Sequence, residues 1–288
     1  MIYFALKKMR NLLLNFFRWY FSEFPVRKGK IPVLNTISKL GLTKNVKKES
    51  LFDTDIKINL DLEDWIQKQI FFFGHYEVEK EETRFWKSLV KENDIILDIG
   101  ANIGYYSLMA SKRIKGGKIY AFEPVNQTYA KLIKNIELNN FQNIVPVNKA
   151  VSNKEDTIEI YVANNKNTGT SSITNHIHFC GEKQKAVAIT IDSFVNENKL
   201  PKIDLIKIDV EGAESLVIEG MQESLAKFNP YILIELIDER LKAAGSSLIQ
   251  IYDFLEKIGY KPFQINNDLK LAPAAKYKEG SLIIFKKS

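Results

Sequence analysis

Residues 94–107, DIILDIGANIGYYS, constrain the fold of this chain more than any other stretch. Ile95, Ile96, Leu97 and Ile99 form an apolar run interrupted only by Asp98, short enough for a buried strand. Gly100 and Gly104 then allow a tight turn that other side chains resist, and the residues after them take up helical spacing. The same alternation recurs along the chain. Strands are predicted at 94–99, 117–122, 143–147, 203–209, 231–236, 260–265 and 281–286, with helices at 104–113, 126–139, 213–224 and 246–258 between them. Strand followed by helix, repeated, implies a mostly parallel sheet covered by helices on both faces. Residues 156–190 depart from the pattern: two alternating runs flank the polar stretch NNKNTGTSS, which predicts a β-hairpin insert whose loop overhangs the site.

The first 50 residues read differently from the rest. They hold 11 Lys/Arg and 2 Asp/Glu, a net of +9, so the overall +6 leaves 6 − 9 = −3 for residues 51–288. Residues 1–24 contain eight aromatics, and Lys7, Asn11, Asn15, Arg18 and Ser22 follow at spacings that draw one polar stripe down a helix. The apolar runs are too short to span a bilayer, and Arg18 interrupts the best of them. Two readings stay open: an interfacial helix lying on an anionic membrane, and a helix packed on the body or on a partner. Residues 25–50, with Pro25, Gly29, Pro32 and Gly41, read as a basic connector. The domain division is then an arm and connector over 1–50, a helical lead-in over 51–93 and an α/β domain over 94–288. With 45% hydrophobic and 26% charged residues the chain is that of a folded globular protein, and its single cysteine, Cys180, excludes a disulfide scaffold or multi-cysteine zinc site and suits a reducing cytosol.

In an open α/β sheet, ligands bind beyond the carboxyl ends of the strands. Asp98, Glu123, Asn148, Asp209 and Glu235 each stand at such an end. A nicotinamide fingerprint is broken, because Asn102 occupies the place of its middle glycine. Asp98 suits a ligand with a positive group near the loop, such as the methionine moiety of S-adenosylmethionine, whose carboxylate would lie on the loop amides. Glu123, followed by the strand-stopping Pro124, suits a ribose diol.

The sequence resembles the FkbM family of S-adenosylmethionine-dependent methyltransferases over about residues 71–287. The resemblance rests on GHYE at 74–77, DIGANIGYYS at 98–107, FEP at 122–124, NKAVS at 148–152, TIDSF at 190–194 and IDVEGAE at 208–214. It implies a Rossmann-like class I methyltransferase with strand order 3-2-1-4-5-7-6, the last strand antiparallel, and O-methylation of sugar or polyketide hydroxyls. The expected cofactor-binding residues are Asp98, Gly100, Asn102, Gly104, Ser107, Glu123, Pro124, Asn148 and Ala150.

A neutral hydroxyl is a poor nucleophile, so a base or a metal should assist. Asp209, Glu211 and Glu235 are the catalytic candidates. Glu214 is more simply a helix-dipole acid, Lys207 a partner for the carboxylates, and Asp192 a cap for the helix that follows it. Asp238, Glu239 and Arg240 read as surface charges. His75, His176 and His178 match no zinc pattern, which leaves a divalent metal open but unsupported. Ser171 and Ser172 are candidates for contact with cofactor or substrate, and Tyr76 and Glu77 for closing the cofactor pocket. The NPPY/F sequence of amino methylation is absent, and an acid-lined cleft suits a hydroxyl better than a nucleic acid. The expected activity is methylation of a sugar hydroxyl in a cell-surface glycan or glycolipid, in the cytoplasm or on the inner face of the membrane. A polyketide or other small-molecule hydroxyl, or a non-catalytic cofactor-binding scaffold, is the alternative.

Overall fold

The computed structural model describes residues 2–24, 29–163, 167–174, 179–266 and 268–287. Two compact units emerge, one built on Met1–Lys80 and the other on Glu81–Asn164 with Thr168–Ser288. His176 and His178 lie outside the described residues.

The first unit holds α1 (Ile2–Glu23), α2 (Lys30–Lys39), the antiparallel hairpin β1 (Lys47–Phe52) and β2 (Ile56–Asp61), and α3 (Trp65–Phe73). The stretch read as a connector therefore carries a helix and a strand, and the helical lead-in opens with a hairpin. The signal was available, because in β2 buried Ile56, Ile58 and Leu60 alternate with exposed Lys57 and Asn59. The chain reverses through Asp53 and Thr54, both at positive φ. Along α1, Leu14 and Phe21 are buried, and the Phe21 ring meets Phe72 and Phe73 of α3 at 5.3 and 5.1 Å. Two members of the polar stripe turn inward: Arg18 lies over the Phe71 ring and donates to the Leu51 carbonyl at 3.1 Å, and Asn11 accepts from Lys48 at 3.1 Å. Lys30 Nζ donates to the carbonyls of Phe21 and Phe24, closing the C-terminal end of the helix.

The second unit runs α4 (Lys80–Leu89), β3 (Ile95–Ile99), α5 (Tyr105–Ser111), β4 (Lys118–Phe122), α6 (Asn126–Leu138), β5 (Ile144–Val147), β6 (Ala150–Val151), β7 (Asp156–Ala163), β8 (Phe179–Ile189), α7 (Ile191–Asn198), β9 (Leu205–Ile208), α8 (Glu214–Glu219), α9 (Gln222–Phe228), β10 (Tyr231–Leu236), α10 (Asp238–Ala243), α11 (Leu248–Lys257), β11 (Tyr260–Ile265), β12 (Leu271–Pro273) and β13 (Gly280–Lys287). Its main sheet has the order β12-β11-β13-β10-β9-β3-β4-β5. Apart from the added edge strand β12, this is the expected 3-2-1-4-5-7-6 order, and β13 is antiparallel to both neighbours. Strands β5, β4, β3, β9 and β10 are parallel, so their carboxyl ends share one edge. The chain winds outward from β3 to β5 and returns at β9, which places the switch in strand order between β3 and β9.

Every residue of β3 and β9 is buried, as continuous apolar runs in a sheet covered on both faces require. On one face Leu97, Ile99, Ile206, Ile208, Ile232 and Ile234 pack with residues of α7, α8, α9 and α11. The insert β7–β8 is an antiparallel hairpin that joins β6 in a separate three-stranded sheet. The helix expected over 213–224 is two, broken where a Cβ on Gly220 would lie 2.0 Å from the Ser152 carbonyl oxygen. Asp192 does not cap its own helix; Thr190 does, while the Asp192 carboxylate accepts from the Glu223 and Ser224 amides at the start of α9. The boundary read at residue 94 falls inside the second unit.

Candidate functional site

Two groups of side chains stand at the carboxyl edge of the sheet, on either side of the switch. The first is the turn after β3. Register pairs Asp98 with Lys207 of β9 and with Ala121 of β4. Asp98 is buried; its Oδ2 accepts from Ser107 Oγ at 2.5 Å, whereas Oδ1 has no hydrogen-bond partner. Burial raises its pKa, opposed by the charge of Lys207. The glycines serve the turn in a different way from a simple approach to a ligand. Gly100 has φ +86°, and a Cβ there would sit 1.9 Å from the Asp209 carbonyl oxygen, so the glycine lets β3 and β9 meet at the switch. Gly104 has φ +94° and packs against Leu132 as α5 begins. Asn102 is also left-handed, with φ 51°, and its buried Oδ1 has no partner.

Glu123, one residue beyond β4, folds back on this turn. Its two oxygens accept from the amides of Asn102 at 3.0 Å and Val125 at 2.9 Å. Burial pushes its pKa up to about 7 against those two bonds, which favour the ionised form. Asn148 donates its side-chain amide to the carbonyls of Glu123 and Pro124, and the Pro124 carbonyl also accepts from Gln184 of the insert. These two residues hold the corner in shape through the backbone of 123–124. Ala150 is buried in β6, paired with Ala188.

The second group follows β9 and β10. Lys207 Nζ reaches Asp209 Oδ2 at 2.9 Å and lies over the Tyr106 ring at 4.6 Å. Glu211, at φ 56°, and Gly212, at φ +106°, turn the chain into α8. Glu214 closes that turn by accepting from the amides of Val210 and Gly212, and its burial raises its pKa to about 7. Arg240 of α10 contacts Glu211 at 2.5 Å and Glu235 at 2.7 Å through one guanidinium nitrogen. Burial and the nearby charge of Asp209 push the Glu211 pKa above the carboxylate range, with Arg240 acting in the opposite direction. One oxygen each of Asp209, Glu211 and Glu235 lies within 4.8 Å of the other two, a spacing that can share a proton or a cation.

The structure places Asp209, Glu211 and Glu235 side by side, whereas Arg240, read as a surface charge, ties two of them rather than facing solvent. Nothing in the spacing of the run 238–240 marks it; it is found only once β10 and α10 are folded back beside β9. Ser172 donates to the Glu211 carbonyl at 2.6 Å, tying the insert to this group, and Ser171 Oγ accepts from the Ala163 amide within the insert. His75, Tyr76 and Glu77 belong to the first unit, where His75 and Glu77 pair at 2.5 Å and burial lowers the imidazole pKa.

The chain is 25% identical over 158 residues to the hexuronic acid methyltransferase AglP of Haloferax volcanii, covering 55% of this chain and 62% of that one. It is 27% identical over 199 residues to the 2-O-methyltransferase NoeI of Sinorhizobium fredii, covering 64% and 81%. Among solved structures, the methyltransferase FkbM of Methylobacillus flagellatus aligns with a TM-score of 0.45 at 14% identity, over 89% of this chain and 58% of that one. The description "Methyltransferase FkbM domain" matches residues 98–262, more than half of the chain. By that match, the protein belongs to the FkbM methyltransferase domain family.

Proposed function

We propose that the protein transfers a methyl group from S-adenosylmethionine to a hydroxyl of a sugar, in a cell-surface glycan or glycolipid. The observation that carries this is the buried corner between β3 and β4, where Asp98 Oδ1 and Asn102 Oδ1 lack partners beside the carboxylate of Glu123. A buried polar atom without a partner is costly, and a ligand that supplies donors removes the cost. The ammonium of a methionine moiety suits Asp98, whereas the amides of Gly100, Ala101, Asn102 and Gly104 are already given to the Phe122 carbonyl, the Glu123 carboxylate and the Ala101 carbonyl. Glu123 spends two of a carboxylate's roughly four acceptor sites on the backbone, leaving capacity for a ribose diol. When bound, the cofactor supplies an electrophilic methyl group on a sulfonium.

The chain's own residues then have to orient the acceptor oxygen and take its proton. Asp209 is our candidate base, since its side chain is 32% exposed against 11% for Glu211 and 19% for Glu235. Lys207 holds the Asp209 carboxylate, while Glu211 and Glu235 hold Arg240. The carboxylate spacing also supports a second reading, in which a divalent cation on Asp209, Glu211 and Glu235 lowers the pKa of the acceptor hydroxyl. A sugar acceptor is favoured because AglP acts on a hexuronic acid and NoeI is a 2-O-methyltransferase. On this reading the protein works in the cytoplasm, with residues 1–24 meeting the inner face of the membrane; among the described residues no helix is long and apolar enough to cross one.

Calorimetry of the full chain with S-adenosylmethionine should show binding that Glu123→Ala weakens by an order of magnitude or about 1.4 kcal/mol. No binding by the wild type, or undiminished binding by the variant, removes the cofactor assignment. Labelled methyl transfer to a panel of glycans and glycolipids, with and without chelator, tests the rest: binding without product favours a scaffold, and activity lost with chelator favours the cation.

A further inference from the structure

The outward side of α1 is apolar. Phe4, Met9, Leu12, Leu13, Phe16 and Trp19 are between 42% and 75% exposed, although the same helix has already buried Leu14 and Phe21 in its own unit. At 100° per residue, positions 9, 12, 13, 16 and 19 fall within an arc of about 120° opposite the buried seam, a continuous face rather than scattered surface residues. The Phe16 ring lies 6.2 Å from Trp19 and 5.5 Å from Phe17, forming an aromatic ledge along it. Lys7 and Lys8 are exposed at the N-terminal end of the helix, and its one acid, Glu23, is its last residue.

We propose that this face is a docking surface for an anionic lipid bilayer, with α1 lying in the plane of the interface and its aromatics at headgroup depth. The inference rests on the reading that residues 1–24 meet a membrane and adds which side of the helix does so. The inward side is not available, because Arg18 and Asn11 are spent on Leu51 and Lys48 and Arg10 on the Lys44 carbonyl. Charge selects lipid over a second copy of the chain. Residues 1–80, which build the first unit, hold 14 Lys/Arg and 9 Asp/Glu, a net of +5, so pairing two such units face to face brings like charge together, whereas an anionic leaflet is complementary. Aromatic residues with both apolar bodies and polar tips, as in Trp19 and Tyr20, favour the interface over the hydrocarbon core.

Flotation of the full chain with phosphatidylcholine vesicles, and with vesicles containing 30% phosphatidylserine, tests this. The wild type should bind the anionic vesicles about tenfold or more tightly than the neutral ones, with binding weakened by added salt. Phe16→Glu with Trp19→Glu alters only exposed side chains, and should reduce binding about tenfold or more while circular dichroism and cofactor binding stay unchanged. Lys8 lies beside the apolar arc, and Lys8→Glu should reduce the preference for anionic lipid. If the wild type floats and the apolar double variant floats equally well, the contact is made elsewhere and this face is wrong. If the wild type does not float at all, the membrane reading itself fails. Light scattering closes the remaining case: a dimer that the Phe16/Trp19 variant splits would assign the face to a second copy and overturn the lipid.

Discussion

The two acidic corners of the sheet edge are neighbours, joined where Gly100 meets the Asp209 carbonyl, yet they manage negative charge by different means. At the β3–β4 corner, Glu123 is held by backbone amides and Asp98 by a hydroxyl, and two buried oxygens are left open. At the β9–β10 corner, the carboxylates are held by cations, Lys207 on Asp209 and Arg240 on Glu211 and Glu235. Amides do not titrate and fix direction, so the first corner is built to recognise a ligand of one shape. Ion pairs can redistribute charge as a proton arrives, so the second is suited to take one. We propose from this difference that the first corner binds and the second does the chemistry, and substitutions that separate affinity from turnover will test it.

The largest separation should come from Asp209→Asn. The amide keeps the size of the side chain and an oxygen toward Lys207, but no longer accepts a proton. Turnover should fall about 10²- to 10⁴-fold, the usual contribution of a general base, with S-adenosylmethionine affinity changed less than about threefold. If affinity falls as far as turnover, the two corners are one site and the division is wrong.

Arg240→Gln comes next. It leaves Glu211 and Glu235 facing each other and Asp209 without the cation between them. Removing one partner of a buried ion pair costs about 3–5 kcal/mol, and the partial exposure of Arg240 puts this case at the lower end or below. Thermal and urea denaturation should therefore show a loss of about 2 kcal/mol. Adding Glu211→Gln should recover part of it, because the crowded charge is gone. A double variant no more stable than Arg240→Gln would mean that the guanidinium acts through packing and not charge. Among the described residues, Lys207, which faces both corners, is the one cation paired with a carboxylate of this edge whose removal also bears on the first corner.

The contrast between the corners was only half legible in the sequence. Each strand end could be read, because buried parallel strands are short apolar runs and the acid at or just beyond the end of each is conspicuous: Asp98, Glu123, Asp209, Glu235. The partners that decide what those acids do were not. Arg240 sits in a charged run that looks solvent-facing, and only the return of α10 beside β9 brings it to Glu211. Gly100 looks like a ligand-facing glycine, but its φ and its neighbour, the Asp209 carbonyl, show that strand contact demands it. The need for glycine between α8 and α9 was hidden for the same reason, since the carbonyl that crowds Gly220 belongs to Ser152, 68 positions earlier. On α1, periodicity gave the polar stripe but not which side faced inward; that followed from Arg18 finding Phe71 and Leu51.

The smallest of these effects is in the pH dependence of stability, where only a substitution at Glu123 separates the first corner's share from that of the second. Glu123 has its pKa raised from 4.5 to about 7 in the folded protein, with burial as the leading cause. The folded state then holds a proton that the unfolded chain has already released, so stability is fully present below about 4.5 and is lost as pH rises through about 7. With Glu214 shifted to about 7 in the same direction, the melting temperature of the cofactor-free protein should be higher at pH 6 than at pH 8. Glu123→Gln is neutral throughout, and its carbonyl oxygen still accepts one of the two amides, so the variant should lose part of this slope while Glu214, Glu211 and Asp98, all shifted in the same direction, keep the remainder. Melting curves between pH 5.5 and 8.5 decide it. A slope unchanged by the substitution would mean that Glu123 stays ionised at neutral pH, its two backbone bonds outweighing burial, and that this corner offers a charged carboxylate to its ligand.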